Sequence, residues 1–243
     1  MKKMENKEMA ENKETNKEQQ ASYSNTRRQI LSKDSSFSVQ EAYKTLRTNV
    51  RFFLQNKGCK CLSITSAVAG EGKSITLLNL AISVAEDGHR VLLIDADLRR
   101  PALARLMMEK AAPGLSNVLA GLAAVEEAIR PEMYPNLDVM FSGDVPPNPS
   151  ELLGSDKMKE MLEAMSKKYD YILVDTPPVN VVSDASIVTN LLDGVLLLVR
   201  QGSSRRDAIK RAVANLELTG IKPIGFVLNG VDLESKKGYG YYE

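Results

Sequence analysis

The sequence predicts an α/β domain in which helices cover both faces of a mainly parallel β-sheet. Six short apolar segments have the length and composition of strands, and amphipathic helical patterns separate them. Strands that alternate with helices of this length pair in parallel, because each crossover helix returns the chain to the same end of the sheet. The predicted strands are residues 62–66, 91–96, 137–141, 171–175, 195–199 and 224–228.

Composition limits the size and the partners of this domain. The chain has 243 residues, of which 43% are hydrophobic and 26% charged, enough for one domain with extra segments at its ends. Its net charge of +1 excludes the basic footprint of a nucleic-acid-binding protein and a polybasic membrane anchor. Because no apolar run approaches the roughly 20 residues of a membrane span, and no signal peptide is evident, we expect a cytoplasmic protein.

Three parts follow from the distribution of residue types. Residues 1–35 are rich in Lys, Glu, Asn and Gln with almost nothing to bury, so we expect them to be disordered. Residues 36–232 form the domain, and residues 233–243 form a tail. An amphipathic helix is predicted over 39–54, with Ser38 and Glu41 as a capping box. Cys59 and Cys61 are expected to be core or edge thiols whose side chains point to opposite faces and do not readily form a disulfide.

A phosphate-binding loop follows the first strand. Residues 66–74, SAVAGEGKS, lead into a helical pattern over 75–86. Glycines let backbone N–H groups surround phosphate oxygens, Lys73 reaches the β and γ phosphates of ATP, and Ser74 can bind Mg²⁺. The loop departs from the full P-loop pattern at Ala67, where glycine is usual. The sequence thus predicts a P-loop NTPase fold, whose nucleotide contacts are Ala69, Gly70, Glu71, Gly72, Lys73, Ser74 and Ile75.

Acidic side chains end two further strands. Asp95 and Asp97 follow the second strand, and Asp175 ends the strand at 171–175 in the manner of a Walker B acid. Aspartate is also common in turns, but the carboxyl ends of parallel strands meet at one edge of the sheet, beside the P-loop. Two carboxylates there can hold a metal ion or accept a proton from an attacking hydroxyl.

A tyrosine cluster lies in the tail. Tyr239, Tyr241 and Tyr242 fall within five residues, whereas eight tyrosines in 243 residues would place about 0.2 in such a window. A domain that only hydrolyses ATP does not need this cluster, but a kinase that phosphorylates its own tail does. The cluster lies 10 to 13 residues beyond Asn229, near which the last predicted strand ends, and this length spans at most ~33–45 Å when extended, enough to reach an active site.

These motifs resemble the bacterial tyrosine kinases (BY-kinases) of capsule and exopolysaccharide synthesis, over roughly residues 37–243. AGEGKS at 69–74 resembles the family's Walker A motif, although the family usually has proline where this chain has Ala69. LLIDADLRRP at 92–101 matches its Walker A′ motif without departure, and VDTPP at 174–178 matches its Walker B motif. The tail corresponds to its tyrosine cluster. The resemblance implies an ATP- and Mg²⁺-dependent kinase that autophosphorylates Tyr239, Tyr241 and Tyr242 and acts on protein tyrosines.

Site roles follow as a hypothesis. Lys73 and the loop backbone hold the phosphates, and Ser74, Asp97 and Asp175 organise Mg²⁺. Asp95 or Asp97 accepts the tyrosine proton, and the sequence does not order this pair. Arg99 and Arg100 either touch phosphate or a neighbouring subunit or remain solvated. Asn229 resembles the Asn that reads adenine in related ATPases, although an Asn at a strand end is also ordinary turn chemistry.

Assembly and partners are implied by the resemblance alone. The family's E-x-x-R-x-x-R motif for ring assembly is represented by Glu41, Lys44 and Arg47, with Lys44 in place of the first arginine. Lysine keeps the charge but lacks the planar fork of arginine. The resemblance also implies a separate membrane activator, of the chain-length-determinant type, that recruits the cytoplasmic kinase through its own cytosolic tail.

An ATPase switch or scaffold without kinase activity is the alternative function. A partition or septum-positioning ATPase (ParA/MinD-like) shares the predicted fold. Those proteins carry a signature lysine five residues before the P-loop lysine, and Val68 occupies that position here.

Overall fold

Seven strands form one sheet in the computed structural model, which describes residues 29–221 and 223–231. Their order across the sheet is β3-β4-β2-β5-β1-β6-β7, and every neighbouring pair is parallel except β3 and β4. The mainly parallel sheet predicted from the sequence is therefore confirmed. The strands are β1 (Lys60–Ser66), β2 (Val91–Asp95), β3 (Ile129–Tyr134), β4 (Leu137–Met140), β5 (Tyr171–Asp175), β6 (Gly194–Arg200) and β7 (Gly225–Asn229).

Helices cover both faces of this sheet, as predicted. Along β2, Val91 and Leu93 pack into the core cluster with residues of the helices Phe37–Phe53 and Lys73–Glu86, while Leu92 and Ile94 pack into the cluster on the opposite face. Successive strand residues point to opposite faces, so an uninterrupted apolar strand fills both clusters. The helices are α1 (Phe37–Phe53), α2 (Lys73–Glu86), α3 (Leu103–Met107), α4 (Leu115–Leu119), α5 (Val125–Ala128), α6 (Pro149–Leu153), α7 (Asp156–Met165), α8 (Asp184–Thr189) and α9 (Arg206–Leu218). Within the described part of the chain, none of them is long and apolar enough to span a membrane.

Strand β3 is the one strand of this sheet that the sequence analysis missed. It lies at the edge of the sheet, antiparallel to β4, and contains Pro131 and Glu132 at exposed positions. Glu132 has a φ of 51°, and the pairing register shifts between Arg130 and Tyr134. Proline and an irregular register are tolerated at a sheet edge, and neither produces the alternating apolar pattern that marks a strand.

The first helix begins two residues earlier than predicted. Its N-cap is Ser36, and the predicted capping box of Ser38 and Glu41 is wrong because both residues lie inside the helix. Ser36 makes no side-chain capping bond, and Glu41 instead pairs with Lys44. The helix is held by its apolar side, where Val50 is buried against the core.

Residues 29–35 pack against the domain, contrary to the disorder that composition predicts for them. Leu31 is buried, and its N–H donates to Asn79 Oδ1 at 2.8 Å. The Asn79 side-chain amide donates in turn to the Gln29 carbonyl at 2.8 Å. A buried asparagine that satisfies the backbone of this segment compensates for its low apolar content. Residues 1–28 lie outside the described residues.

Cys59 and Cys61 lie on the same side of the chain, so the expectation that they point to opposite faces is wrong. Residues two apart in an extended segment share a face. Both are half-buried free thiols against the core, and their Sγ atoms are 4.0 Å apart.

Candidate functional site

The predicted site residues meet at the carboxyl ends of three neighbouring strands. β1 leads into the P-loop, β2 ends at Asp95 and β5 ends at Asp175. β5 lies between β1 and β2, and Asp95 is directly opposite Asp175 in the register. This edge of a parallel sheet is where α/β proteins bind ligands.

Two glycines give the P-loop its shape. Gly70 and Gly72 have φ angles of 81° and 98°, in the left-handed region that side chains disfavour. A Cβ on Gly72 would lie 2.3 Å from Asn229 Nδ2, so a side chain there would also displace the Asn229 amide from its bond to the Glu71 carbonyl. Helix α2 begins at Lys73 immediately after the loop. Its first N–H groups therefore face the space that phosphate would occupy.

Ala67 explains why the loop tolerates a departure from the full P-loop pattern. Its side chain is buried in a small cluster with Val179 and Val195. The described non-glycine residues with positive φ are Met108, Glu132 and Asn136, so Ala67 needs none of glycine's conformational freedom. Alanine thus fills a packing position here.

A second set of contacts, not found from the sequence, fixes the loop from β6 and β7. The Ser204 hydroxyl donates to the Glu71 carboxylate, which also accepts the Val68 N–H at 3.3 Å. Arg200 donates to the Gly70 carbonyl at 3.1 Å, and Asn229 Nδ2 donates to the Glu71 carbonyl at 2.9 Å. Charge-assisted and backbone hydrogen bonds of this kind hold a loop in one conformation before its ligand arrives.

Asp95 is committed to the structure of its own loop. Its carboxylate accepts N–H donations from Asp97 at 3.2 Å, Ala102 at 3.2 Å and Leu103 at 3.1 Å, and the side chain is fully buried. Burial and the neighbouring Asp175 charge raise the pKa of Asp95 well above its usual value. Its carboxylate is therefore occupied by backbone N–H groups that fix the start of α3.

Asp97 faces the cleft beside the P-loop. It is 7% exposed, and its Oδ1 accepts the Arg100 N–H at 3.0 Å. Burial raises the pKa of Asp97, while the Arg100 N–H and the Lys73 ammonium act in the opposite direction. Because its pKa is raised, the Asp97 carboxylate accepts a proton more readily than the carboxylate of an exposed aspartate does.

Asp175 has two buried oxygens without a hydrogen-bond partner among the described residues. Burial raises its pKa to about 6, against the opposing effects of the Lys73 ammonium and the nearby Ser74 hydroxyl. Two unpaired oxygens in the interior are costly unless a cation or its water shell completes the site. Ser74 and Asp97 border the adjacent cleft and both influence the pKa of Asp175. Together these oxygens fit Mg²⁺, which needs few protein ligands when phosphate oxygens supply others.

Arg99 is 40% exposed, and its guanidinium is held by an ion pair within the chain. It donates to Asp184 from Nε at 2.7 Å and from Nη2 at 3.2 Å, and Nη2 also donates to Ser150 Oγ at 3.0 Å. Asp184 is fully buried. This bidentate ion pair, together with the Ser150 bond, connects the loop after β2 to α8 and α6. The sequence could not reveal it, because 85 residues separate the partners.

A cleft of about 550 Å³ opens beside the loop. It is bordered by the P-loop and by Ser74 on one side and by Asp97 and the start of α3 on another. Residues after β5 form the remaining wall. Its volume is within the range of small-ligand sites.

The predicted assembly residues of α1 are engaged within the chain. Lys44 Nζ lies 2.7 Å from Glu41 on the exposed face. Arg47 donates to the Ser83 carbonyl at 2.6 Å and pairs with Asp87 at 3.2 Å, so its guanidinium fixes α1 to α2. Tyr239, Tyr241 and Tyr242 lie outside the described residues.

Fold and site together define a nucleotide-binding protein of the P-loop class. A family model described as an AAA domain matches residues 59–202. The tyrosine-protein kinase YwqD of Bacillus subtilis is 40% identical over 202 residues, which make up 83% of this chain and 85% of that protein. The kinase domain of Escherichia coli tyrosine kinase ETK is similar with a TM-score of 0.78 and 36% identity, covering 84% of this chain and 80% of that one. The chimerical protein CapA2B2 is similar with a TM-score of 0.76 and 32% identity, covering 82% and 86%.

The chain belongs to the family of bacterial tyrosine-protein kinases. The family resemblance inferred from the three motifs is thereby confirmed.

Proposed function

We propose that this protein is an ATP-dependent tyrosine kinase that phosphorylates Tyr239, Tyr241 and Tyr242 in the tail of a neighbouring copy. One observation carries the proposal. The two unpaired oxygens of buried Asp175 lie at the same sheet edge as a preformed P-loop, in a chain whose tail holds a tyrosine cluster. Membership of the tyrosine-protein kinase family supports it.

Phosphate binding is assigned to the P-loop and its helix. Lys73 and the backbone N–H groups of residues 70–74 hold the phosphates, and the flanking Ala69 and Ile75 complete the contacts. Ser74 and Asp175 would hold Mg²⁺, which when bound neutralises charge on the β and γ phosphates, and this leaves the Asp97 carboxylate for the proton. Asn229 Oδ1 accepts the Gly230 N–H at 2.8 Å and retains a second lone pair. That lone pair can accept the adenine amino group.

Asp97 is assigned as the proton acceptor. A tyrosine hydroxyl oxygen forms a bond to the γ-phosphorus, the bond between that phosphorus and the β–γ bridging oxygen breaks, and ADP leaves. The hydroxyl proton passes to the Asp97 carboxylate. Asp97 borders the cleft, whereas Asp95 is fully buried beneath three N–H donors. Geometry therefore supports Asp97 over Asp95 for a role that the sequence left open between them.

The direction of the chain supports transfer between copies. β7 ends at Asn229, on the edge of the sheet that carries the P-loop, and the fourteen residues 230–243 follow in the sequence. A tail that leaves here can enter the active site of a neighbour in a ring. Glu41 and Lys44 on the exposed face of α1 would supply the ring contacts, with Arg47 holding that helix in place. Each phosphate adds negative charge near others and weakens the assembly by repulsion.

A membrane activator of the chain-length-determinant type would recruit the cytoplasmic kinase through its cytosolic tail. The kinase would in this way regulate capsular or exopolysaccharide synthesis. Support comes from the family to which the chain belongs.

Labelling with γ-³²P-ATP and Mg²⁺ tests the kinase assignment, with and without the cytosolic tail of a candidate activator. We expect label on tyrosine in the wild type and a loss of at least about tenfold in the Tyr239/Tyr241/Tyr242→Phe variant. Tyr169→Phe is the control, because this tyrosine bonds Asp138 at 2.6 Å away from the tail, and its label should match the wild type. Free phosphate without protein label under every condition would instead support the ATPase switch.

A further inference from the structure

Two arginines of the cleft have no acidic partner in the described part of the chain. Arg100 and Arg105 border the cleft with exposed side chains, and neither takes part in an ion pair among residues 29–221 and 223–231. The neighbouring Arg99 differs, because Asp184 neutralises it at 2.7 Å. The cleft therefore carries two guanidinium groups that have no ion-pair partner among the described residues.

The backbones of these arginines are fixed by the two aspartates of the site. Asp97 accepts the Arg100 N–H at 3.0 Å. Asp95 accepts the N–H groups of Ala102 and Leu103, which set the position of the helix that carries Arg105. These bonds thus set the backbone positions of both arginines relative to the proposed proton acceptor.

An apolar wall faces the same space. Leu106 from α3 and Pro177, Pro178, Val181 and Val182 after β5 border the cleft. Val181 is 63% exposed, which is high for a valine beside a buried site. Prolines and valines provide a surface on which an aromatic ring packs, and arginines beside it bind a carboxylate or phosphate.

We propose that Arg100 and Arg105 form the acceptor site of the kinase and select tyrosines that have an acidic group next to them. This inference rests on the proposed function and adds its substrate class. The tail fits the description, because Glu243 directly follows Tyr242. A phosphate already present on one tail tyrosine supplies the same kind of group to its neighbour, so the first transfer would promote the next.

Peptide phosphorylation tests this selection. The substrates are a peptide of residues 234–243 with Tyr239 and Tyr241 replaced by Phe, the same peptide with Glu243→Gln, and the same peptide with phosphotyrosine at 241 and Gln at 243. We expect the wild type to favour the Glu peptide over the Gln peptide by about fivefold in kcat/KM, since exposed ion pairs contribute modestly. The phosphotyrosine peptide should be favoured at least as much, because it carries more charge. Salt should reduce both preferences.

The Arg100→Gln/Arg105→Gln variant should lose both preferences and phosphorylate all three peptides with about the same kcat/KM. Arg211→Gln on the exposed side of α9 is the matched control and should retain them. Equal wild-type rates on all three peptides would overturn the inference while leaving the kinase assignment standing. An arginine variant that raises KM for ATP equally with every peptide would also overturn it and assign these side chains to the nucleotide. If the wild type phosphorylated none of the peptides and its tail carried no label, the result would contradict the proposed function itself.

Discussion

Lys73→Met should reduce label on the tail tyrosines by about a thousandfold, the loss typical of removing one preorganised charge-stabilising group. Lys73 starts α2, is only 8% exposed and lies beside Asp97 and Asp175. Methionine keeps the apolar stem and removes the ammonium that would neutralise the β and γ phosphates. Phosphoryl transfer depends mainly on positioning and charge neutralisation, so no other side chain should compensate.

The control for this variant is Lys159→Met on α7, where the lysine is 64% exposed and lies 4.0 Å from Glu163. That change should leave label at the wild-type level. Circular dichroism should show both variants folded. Residual label above about a tenth of wild type in Lys73→Met would refute the assignment of Lys73 to the phosphates.

Asp175→Asn should stabilise the ligand-free protein while abolishing phosphorylation. The pKa of Asp175 is raised to about 6 in the folded state, so its ionised form is disfavoured on folding. The protonated form of Asp175 is favoured in the folded state. Its contribution to stability is present below the unfolded pKa of about 3.9 and is lost as the pH rises through about 6. Replacing the carboxylate with a neutral amide should therefore raise the free energy of unfolding at pH 8 by roughly 2 kcal/mol.

Thermal unfolding from pH 4 to pH 8 measures this effect. The Tm of the variant should exceed that of the wild type at pH 8, and the difference should shrink toward pH 4. Addition of Mg²⁺ and ATP should raise the wild-type Tm more than that of the variant, because ligand binding to the folded state stabilises it. Asp184→Asn is the contrasting change. It leaves Arg99 without its charged partner and should lower Tm. A less stable Asp175→Asn protein at pH 8 would show that the carboxylate has a structural partner.

The features that the sequence predicted correctly depend on residues that are close together in the chain. The six apolar strands, the P-loop and the acids that end β2 and β5 were located because each is a short pattern beside a regular element. Edge strand β3 has Pro131 and a positive φ at Glu132, so it gave no such pattern. The order of residues 29–35 could not be predicted either, because it depends on Asn79, about 50 residues away.

Contacts that form only in the folded chain distinguish residues that look alike in the sequence. Asp95 and Asp97 are equivalent as letters in a motif, and only the folded loop shows which is buried and which borders the cleft. Arg99 and Arg100 are adjacent in sequence but differ in partner, because Asp184 reaches only Arg99. The P-loop contacts of Ser204 and Arg200 come from segments more than 125 residues away.

The most direct test of phosphate transfer between copies mixes two full-length variants, neither of which can label its own tail. A tagged Lys73→Met chain supplies an intact tail, and a Tyr239/Tyr241/Tyr242→Phe chain supplies an intact site; the two are incubated with γ-³²P-ATP and Mg²⁺ and then separated. We predict label on the tail of the Lys73→Met chain in the mixture and on neither chain alone. An unlabelled Lys73→Met chain in the mixture, while the wild type labels its own tail, would contradict transfer between copies.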